Sequence, residues 1–254
     1  MPILLLQSWG TDFTYEQPVH PIKVDGQQFA LPPDFVQGLN FLRYFTVSKH
    51  HWMQWVHLLD GRLYAASNSL IVEYEIGPCE LENTIFSPKV CCILAGFATP
   101  PEGVVIGNGT LLFTWADGQE LFVDRSREPV GYGGEIAGMF KRHWTFGVGT
   151  SIDDEARKSL HSAFDARGSG DVFFDGQTAL CRNGARTSET LRPFTANTEG
   201  LIRFDRKPFL AMLKVATEID FAASPLCFLH AHGRGMLVRR TVGRDVPTFG
   251  GDNG

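Results

Sequence analysis

Hydrophobic positions switch between two periods along this chain. From Leu31 to Phe45, Phe35, Leu39 and Leu42 recur at i, i+4 and i+7, the stripe of an amphipathic helix. Pro32 and Pro33 suit its start, while Gln37, Asn40 and Arg43 fall on its other faces. The period then drops to two. Strands follow through WVHLLDGRLYAASNSLIVEYEI, with turns at Asp60-Gly61 and near Asn68-Ser69. In the last of them Leu70, Val72, Tyr74 and Ile76 face one way and Glu73 and Glu75 the other, as in a strand with one wet face.

The same unit recurs. Ser87-Pro88 is an N-cap followed by proline, and Val90, Ile93, Leu94 and Phe97 form the next helical stripe. A meander turning at Gly107-Asn108-Gly109 and Asp117-Gly118 follows. A third unit comes after a strand-like Thr145 to Val148. Its Ser151-Ile152-Asp153-Asp154 resembles a capping box, Ala156, Leu160, Ala163 and Phe164 line its helix, and Gly168 offers a C-cap. Its strands turn at Asp175-Gly176 and Asn183-Gly184. A fourth helix is expected from about Arg206 to Ile219 on Phe209, Leu210 and Leu213, followed by strands PLCFLHA and MLVRRTV. Between the second and third units the pattern breaks. Pro129 and Gly131, Gly133, Gly134 and Gly138 mark residues 127–144 as an interdomain connector. Residues 1–20 read as an irregular arm or a first edge strand, and Ile22 to Ala30 as a short hairpin. The expected class is α+β: two similar domains, 1–126 and 145–254, each of two helix-plus-antiparallel-strand repeats, with a Gly-rich C-terminal tail.

A chain of 254 residues suits one large domain or two ordinary ones with proper cores. No apolar run reaches the roughly 18 residues of a membrane span. Five cysteines without framework spacing point to reduced thiols in the cytoplasm. The net charge of −5 argues against a simple basic nucleic-acid binder, but the charge is uneven. Residues 1–126 hold 6 basic and 13 acidic side chains, and residues 127–254 hold 17 and 15.

No cluster announces a reaction. His230 and His232 share a strand face, yet no Cys or carboxylate completes a metal site with them or with His50-His51. Cys91-Cys92 lies in a helical apolar face and reads as core. Gly131 to Gly138 is not a phosphate loop, and no serine nucleophile elbow occurs. Asp153, Asp154 and Glu155 are first-turn acids that suit a helix dipole. The expectation is a non-enzymatic protein with no metal or other cofactor. A hydrolase with a site invisible in the sequence stays open as a remote reading.

The helix-plus-meander unit, twice per domain, resembles the DNA sliding clamps that serve as polymerase processivity factors. The best local matches are VHLLDGRLYAASNSLIVEYEI at 56–76, FDRKPFLAMLKVATEIDF at 204–221 and PLCFLHAHGRGMLVRRTV at 225–242. Room for two domains is similar to proliferating cell nuclear antigen and T4-like phage clamps, which close as trimers. The strand phrasing is closer to the bacterial clamps, which have three domains and pair as dimers. The resemblance implies a homotrimeric ring around double-stranded DNA, with a DNA polymerase and a clamp loader as partners and no membrane. It implies basic residues on the free helix faces: Arg43, Lys89, Arg157, Lys158, His161, Arg167, Arg203, Arg206, Lys207 and Lys214. It implies a hydrophobic pocket for partner peptides from Val130, Tyr132, Ile136, Met139 and Phe140, with Val246 and Phe249 in the tail. The other class left open is an α+β structural or binding protein, such as a phage assembly component, that forms no DNA-encircling ring.

Overall fold

A computed structural model describes residues 3–5, 15–16, 24–47, 51–81, 83–107, 109–124, 132–164, 170–181, 187–190 and 194–242. The chain divides into two compact units: Met1–Ser67 with Glu73–Gly138, and Asn68–Val72 with Met139–Gly254.

Unit 1 contains β1 (Ile3–Leu5), β2 (Tyr15–Glu16), β3 (Gln27–Ala30), α1 (Phe35–Leu42), β4 (Val56–Leu59), β5 (Arg62–Ala66) and the end of β6 (Leu70–Glu75). β7 (Thr84–Phe86), α2 (Pro88–Leu94), β8 (Gly103–Ile106), β9 (Thr110–Thr114) and β10 (Glu120–Asp124) complete its repeats. One sheet runs β2-β1-β10-β9-β8-β3, and in the other β7, β4, β5 and β6 follow in that order. The turns are those that the dipeptides demand. Asp60 and Gly61 take φ 50° and 68°, and Gly118 takes φ 79°. Ser87 caps α2, its Oγ accepting from the Val90 N–H at 3.2 Å. The Phe35 ring of α1 meets Phe86 at 5.6 Å and Phe113 at 6.3 Å, so one side chain pins the helix over strands of both sheets.

The chain next forms α3 (Tyr132–His143), within which the division between the units falls. The glycines of residues 127–144 gave no helical expectation, yet Tyr132, Ile136 and Phe140 recur every four residues and 132–143 winds into a helix beyond the four expected. A Cβ on Gly133 would lie 3.6 Å from the His57 Cβ, so this turn packs closely on unit 1.

Unit 2 contains β11 (Thr150–Ser151), α4 (Asp154–Phe164), β12 (Asp171–Phe174), β13 (Thr178–Cys181), β14 (Thr187–Thr190), β15 (Ile202–Asp205), α5 (Arg206–Leu213), β16 (Glu218–Asp220), β17 (Leu226–His230) and β18 (Gly233–Leu237). Its sheets run β14-β13-β12-β15 and β11-β16-β17-β18, with Leu70–Val72 beside β18. The core is aromatic. Phe164 sits within 4.8 Å of Phe209, 5.8 Å of Phe204 and 6.2 Å of Phe174, which fixes both helices over the β12–β15 pair. Three local expectations shift. Ser151 belongs to β11, and it is Asp153 that caps α4, its carboxylate accepting from the Ala156 N–H at 2.7 Å. Thr145 to Val148 is not a strand. α5 ends at Leu213, because β-branched Val215, Thr217 and Ile219 lead into β16. The expected turns at Asn108 and Asn183-Gly184, the C-cap at Gly168 and most of the N-terminal arm lie outside the described residues.

Candidate functional site

Each helix buries one stripe and leaves the other free. α1 buries Phe35, Gly38, Leu39 and Leu42, and α2 buries Val90, Cys91 and Leu94. α4 buries Ala156, Leu160, Ala163 and Phe164, and α5 buries Phe209, Met212 and Leu213. At about 100° per residue the opposite faces carry Gln37 and Asn40 on α1, Lys89 and Cys92 on α2, Lys158 and Ser162 on α4, and Lys207 with Lys214 along α5. α1 packs with α2, and α4 with α5, so each unit presents a helix pair.

The four lysines are exposed. The arginines are engaged in the fold. Arg157 crosses from α4 to the end of α5, donating to the carbonyls of Leu213, Ala216 at 3.0 Å and Ile152 at 3.3 Å. The Leu213 and Ala216 carbonyls lie at and just beyond the end of α5, where no intrahelical donor is left, and the Ile152 carbonyl precedes α4. Arg203 lies on β15, pairs with Asp171 and sits 5.6 Å from the Phe173 ring. Arg240 joins the same cluster, reaching Asp171 at 3.1 Å and Asp205 at 2.6 Å, and its N–H donates to the Arg203 carbonyl. Arg206 is half-buried, with Nη1 3.5 Å from the Phe164 carbonyl. Arg43 donates to Asn40 Oδ1 at 2.8 Å and lies over the Tyr44 ring. His161 is half-buried, and Arg167 lies outside the described residues.

The two helix pairs differ in charge. On α4, Lys158 shares the outer face with exposed Asp154 and Glu155, whereas α5 presents only cations. In unit 1 a groove of 330 Å³ runs between α1 and α2, lined by Pro33, Val36, Asn40, Leu94, Phe97 and Pro100 among others, none of them charged. Phe97 belongs to that rim, its ring stacked 4.1 Å from Trp115.

The residues expected to receive a partner peptide separate. Ile136 and Phe140 are 0% and 1% exposed, so they pack the inner side of α3 and do not line an open cleft. Tyr132 stacks on Trp52 at 5.5 Å, and Met139 is half-buried. Val130, Val246 and Phe249 lie outside the described residues. Unit 2 instead shows an aromatic ladder that the sequence reading passed over. Trp144 stacks on Phe146 at 5.6 Å, Arg234 lies 5.1 Å over the Trp144 ring, and Val148 is 78% exposed. Alternation of Trp144, Phe146 and Val148 was the available signal. Lys141 and Arg142 at the end of α3 are exposed cations, next to exposed His143, that the connector reading also left out.

Burial pushes the Cys91 thiol well above its ordinary range, so it stays protonated in the core. Among the described residues no group of three or more His, Cys, Asp and Glu is arranged to hold a metal.

The architecture has close counterparts among solved structures. The Caulobacter crescentus pol III beta structure matches 92% of this chain and 73% of its own, with a TM-score of 0.66 and 13% identity. The Thermotoga maritima DNA polymerase III beta subunit matches 93% and 73%, with a TM-score of 0.61 and 14% identity. The Helicobacter pylori beta clamp bound to a DNA ligase peptide matches 91% and 71%, with a TM-score of 0.61 and 10% identity. This is the sliding-clamp fold. No family model and no curated protein matches the clamp-like chain by sequence, so the likeness is one of architecture. The clamp fold accounts for the repetition: two helix-plus-meander repeats build each unit and leave one helix pair per unit uncovered.

Proposed function

We propose that this chain is a DNA sliding clamp, a non-catalytic processivity factor that surrounds duplex DNA without reading its sequence and holds a DNA polymerase on the template. The observation that carries the reading is the clamp fold itself together with lysines on the free face of α5. A ring that slides needs loose, sequence-independent phosphate contacts, and exposed lysines on long stems supply them. Lys158, Lys207 and Lys214 are the principal contacts, with Lys89 and His161 beside them. Arg206 and Arg43 stand at the flanks. Arg157 and Arg203 serve chiefly to hold the fold, and Arg167 is kept as an outlying contact.

The partner surface is assigned to unit 2, where Met139, Trp144, Phe146 and Val148 offer apolar area beside the Arg234 cation. Of the residues expected from the sequence, Val246 and Phe249 are kept with this surface, while Val130, Tyr132 and Ile136 belong to unit 1 and Phe140 is buried. The Helicobacter pylori clamp was solved with a DNA ligase peptide, which supports a peptide-docking role for this class of surface. The assembly proposed is a trimer of two-domain chains, opened by a clamp loader, in the cytoplasm of a bacterium or a phage-infected host.

The test is charge reversal. The triple variant Lys158→Glu, Lys207→Glu and Lys214→Glu is expected to abolish stimulation of a polymerase on a primed circular template while the mass in solution stays unchanged. Unchanged stimulation would sink the assignment of the inner surface.

A further inference from the structure

The aromatic ladder of unit 2 lies on a segment without helix or strand. α3 ends where the Trp144 N–H donates to the Phe140 carbonyl, and pairing resumes at Thr150 with Ile219. Between them the chain carries half-buried Trp144 and Phe146 and exposed Val148. Thr145 hydrogen-bonds the Cys227 sulfur through its backbone and side chain. The Gly147 N–H donates to Asp220 Oδ2 at 2.7 Å. Both anchors belong to one cross-strand pair, because Asp220 on β16 is in register with Cys227 on β17. Asp220 is 3% exposed, and a buried carboxylate persists only where donors surround it. Its two oxygens divide the task. Oδ1 accepts from the Ala222 and Ala223 N–H groups at 3.0 and 3.1 Å and builds the turn after β16. One oxygen satisfies the turn, so Oδ2 is left to reach a residue 73 positions earlier in the chain.

We propose that Asp220 is a positioning residue for partner binding: it fixes residues 144–149 in the shape that an apolar partner peptide meets. The proposal rests on the assignment of that surface to partners. Asp220 acts through the Gly147 backbone. A loose segment would have to be ordered by each partner, at a cost in affinity, whereas a tethered one is met preformed. The tether needs the Gly147 N–H and not its missing side chain. The φ of Gly147 lies outside the left-handed region, and a Cβ there would meet only Asp220 Oδ2, at 3.5 Å. Arg234 of β18 completes the frame, lying 5.1 Å over the Trp144 ring and 5.2 Å over the Phe140 ring. It fixes the ring at the start of the segment, and Asp220 fixes the backbone at its middle. Phe146 then folds back so closely that a Cβ on Gly149 would lie 2.7 Å from its ring.

The decisive variant is Asp220→Asn. An amide of the same shape has one acceptor oxygen, and with that oxygen on the Ala222 and Ala223 donors its amino group faces the Gly147 N–H. The turn is kept and the tether is lost. Gly147→Pro deletes the donor from the other side, and Gly147→Ala keeps it as a control. Amide hydrogen exchange is read by residue, and polymerase is titrated against the chain on a primed circular template. Asp220→Asn and Gly147→Pro are each expected to speed exchange at Thr145 by about tenfold or more, with β17 and β18 unchanged. Each is expected to raise the half-saturating polymerase concentration by about fivefold or more at the same plateau. Gly147→Ala is expected to match the parent chain in both assays. Thr145 is the reporter because its bonds go to Cys227, so it quickens only if the whole segment is released. Faster exchange at Gly147 alone in Asp220→Asn would overturn the proposal. So would an unchanged half-saturating concentration, or faster exchange that spreads through β17 and β18. Circular dichroism checks folding, and either tether variant decides if the other does not fold. A parent chain that stimulates no polymerase refutes the clamp reading and the partner role with it. Exchange at Thr145 then decides alone whether Asp220 holds the segment.

Discussion

Arg157 separates a structural reading from a nucleic-acid one. Its guanidinium supplies donors to three carbonyls, those of Leu213, Ala216 and Ile152. Two of these carbonyls lie at the end of α5, on Leu213 and just beyond it on Ala216, both buried residues. Removing one partner of a fully buried hydrogen bond costs about 1–3 kcal/mol, and these part-buried bonds fall at the low end of that range. Three weakened or orphaned carbonyls, one of them at 3.3 Å, set the loss for Arg157→Ala at about 3 kcal/mol. The ion pair with Asp154 adds little, since that carboxylate is 95% exposed and 4.0 Å away. Urea unfolding followed by circular dichroism measures the loss. Arg157→Lys should recover less than half of it, because one ammonium cannot span the fork. A DNA contact would behave in the opposite way: alanine neutral for stability, lysine a full substitute. A loss below about 1 kcal/mol for Arg157→Ala, against the handful of kcal/mol typical of a domain, would refute the strut.

His57 is buried, donates through Nε2 to the Trp52 carbonyl at 2.8 Å, and desolvation holds its pKa below the ordinary 6.5. The unfolded chain therefore binds the proton first, so stability is complete above about pH 6.5 and declines as acid is added toward the folded-state value. The urea midpoint should fall between pH 7 and pH 5.5 (about the range in which free histidine titrates), and His57→Gln should flatten that decline. Gly235 faces Phe228 across β17 and β18, and an added Cβ would lie 2.1 Å from the ring and 2.8 Å from the Ile71 carbonyl. Gly235→Ala is expected to cost about 1–3 kcal/mol in the same unfolding assay, although alanine is the better strand former. Thiol titration of the native chain should label exposed Cys92 at once and buried Cys91 only after denaturant is added. Equal rates would contradict the packing of α2.

Turn chemistry made much of the fold legible. Asp60-Gly61, Asp117-Gly118 and Asp175-Gly176 are local signals, and each sits at a hairpin corner, with Gly176 at φ 100°. The helix α3 was hidden because three glycines depress helix propensity, and only burial of Ile136 and Phe140 outweighs them. β1 carried no signal of its destination, since its partner lies more than a hundred residues away and parallel pairing leaves no turn to read. The candidate site was half legible. Periodicity places Lys158, Lys207 and Lys214 on free faces, but it cannot tell that Arg157, one position from Lys158, turns toward α5. Nor does it reveal that the apolar residues of α3 point inward.

The bond from the Arg240 N–H to the Arg203 carbonyl, with the two carboxylates gripping its guanidinium, makes residue 240 a mechanical anchor. Tension applied to the chain beyond Val242 meets β15 before it reaches β18. It loads the Asp171 cluster and the Arg203 carbonyl before it reaches the last hairpin. A load applied through residue 240 would thus be felt first by the strand that leads directly into α5.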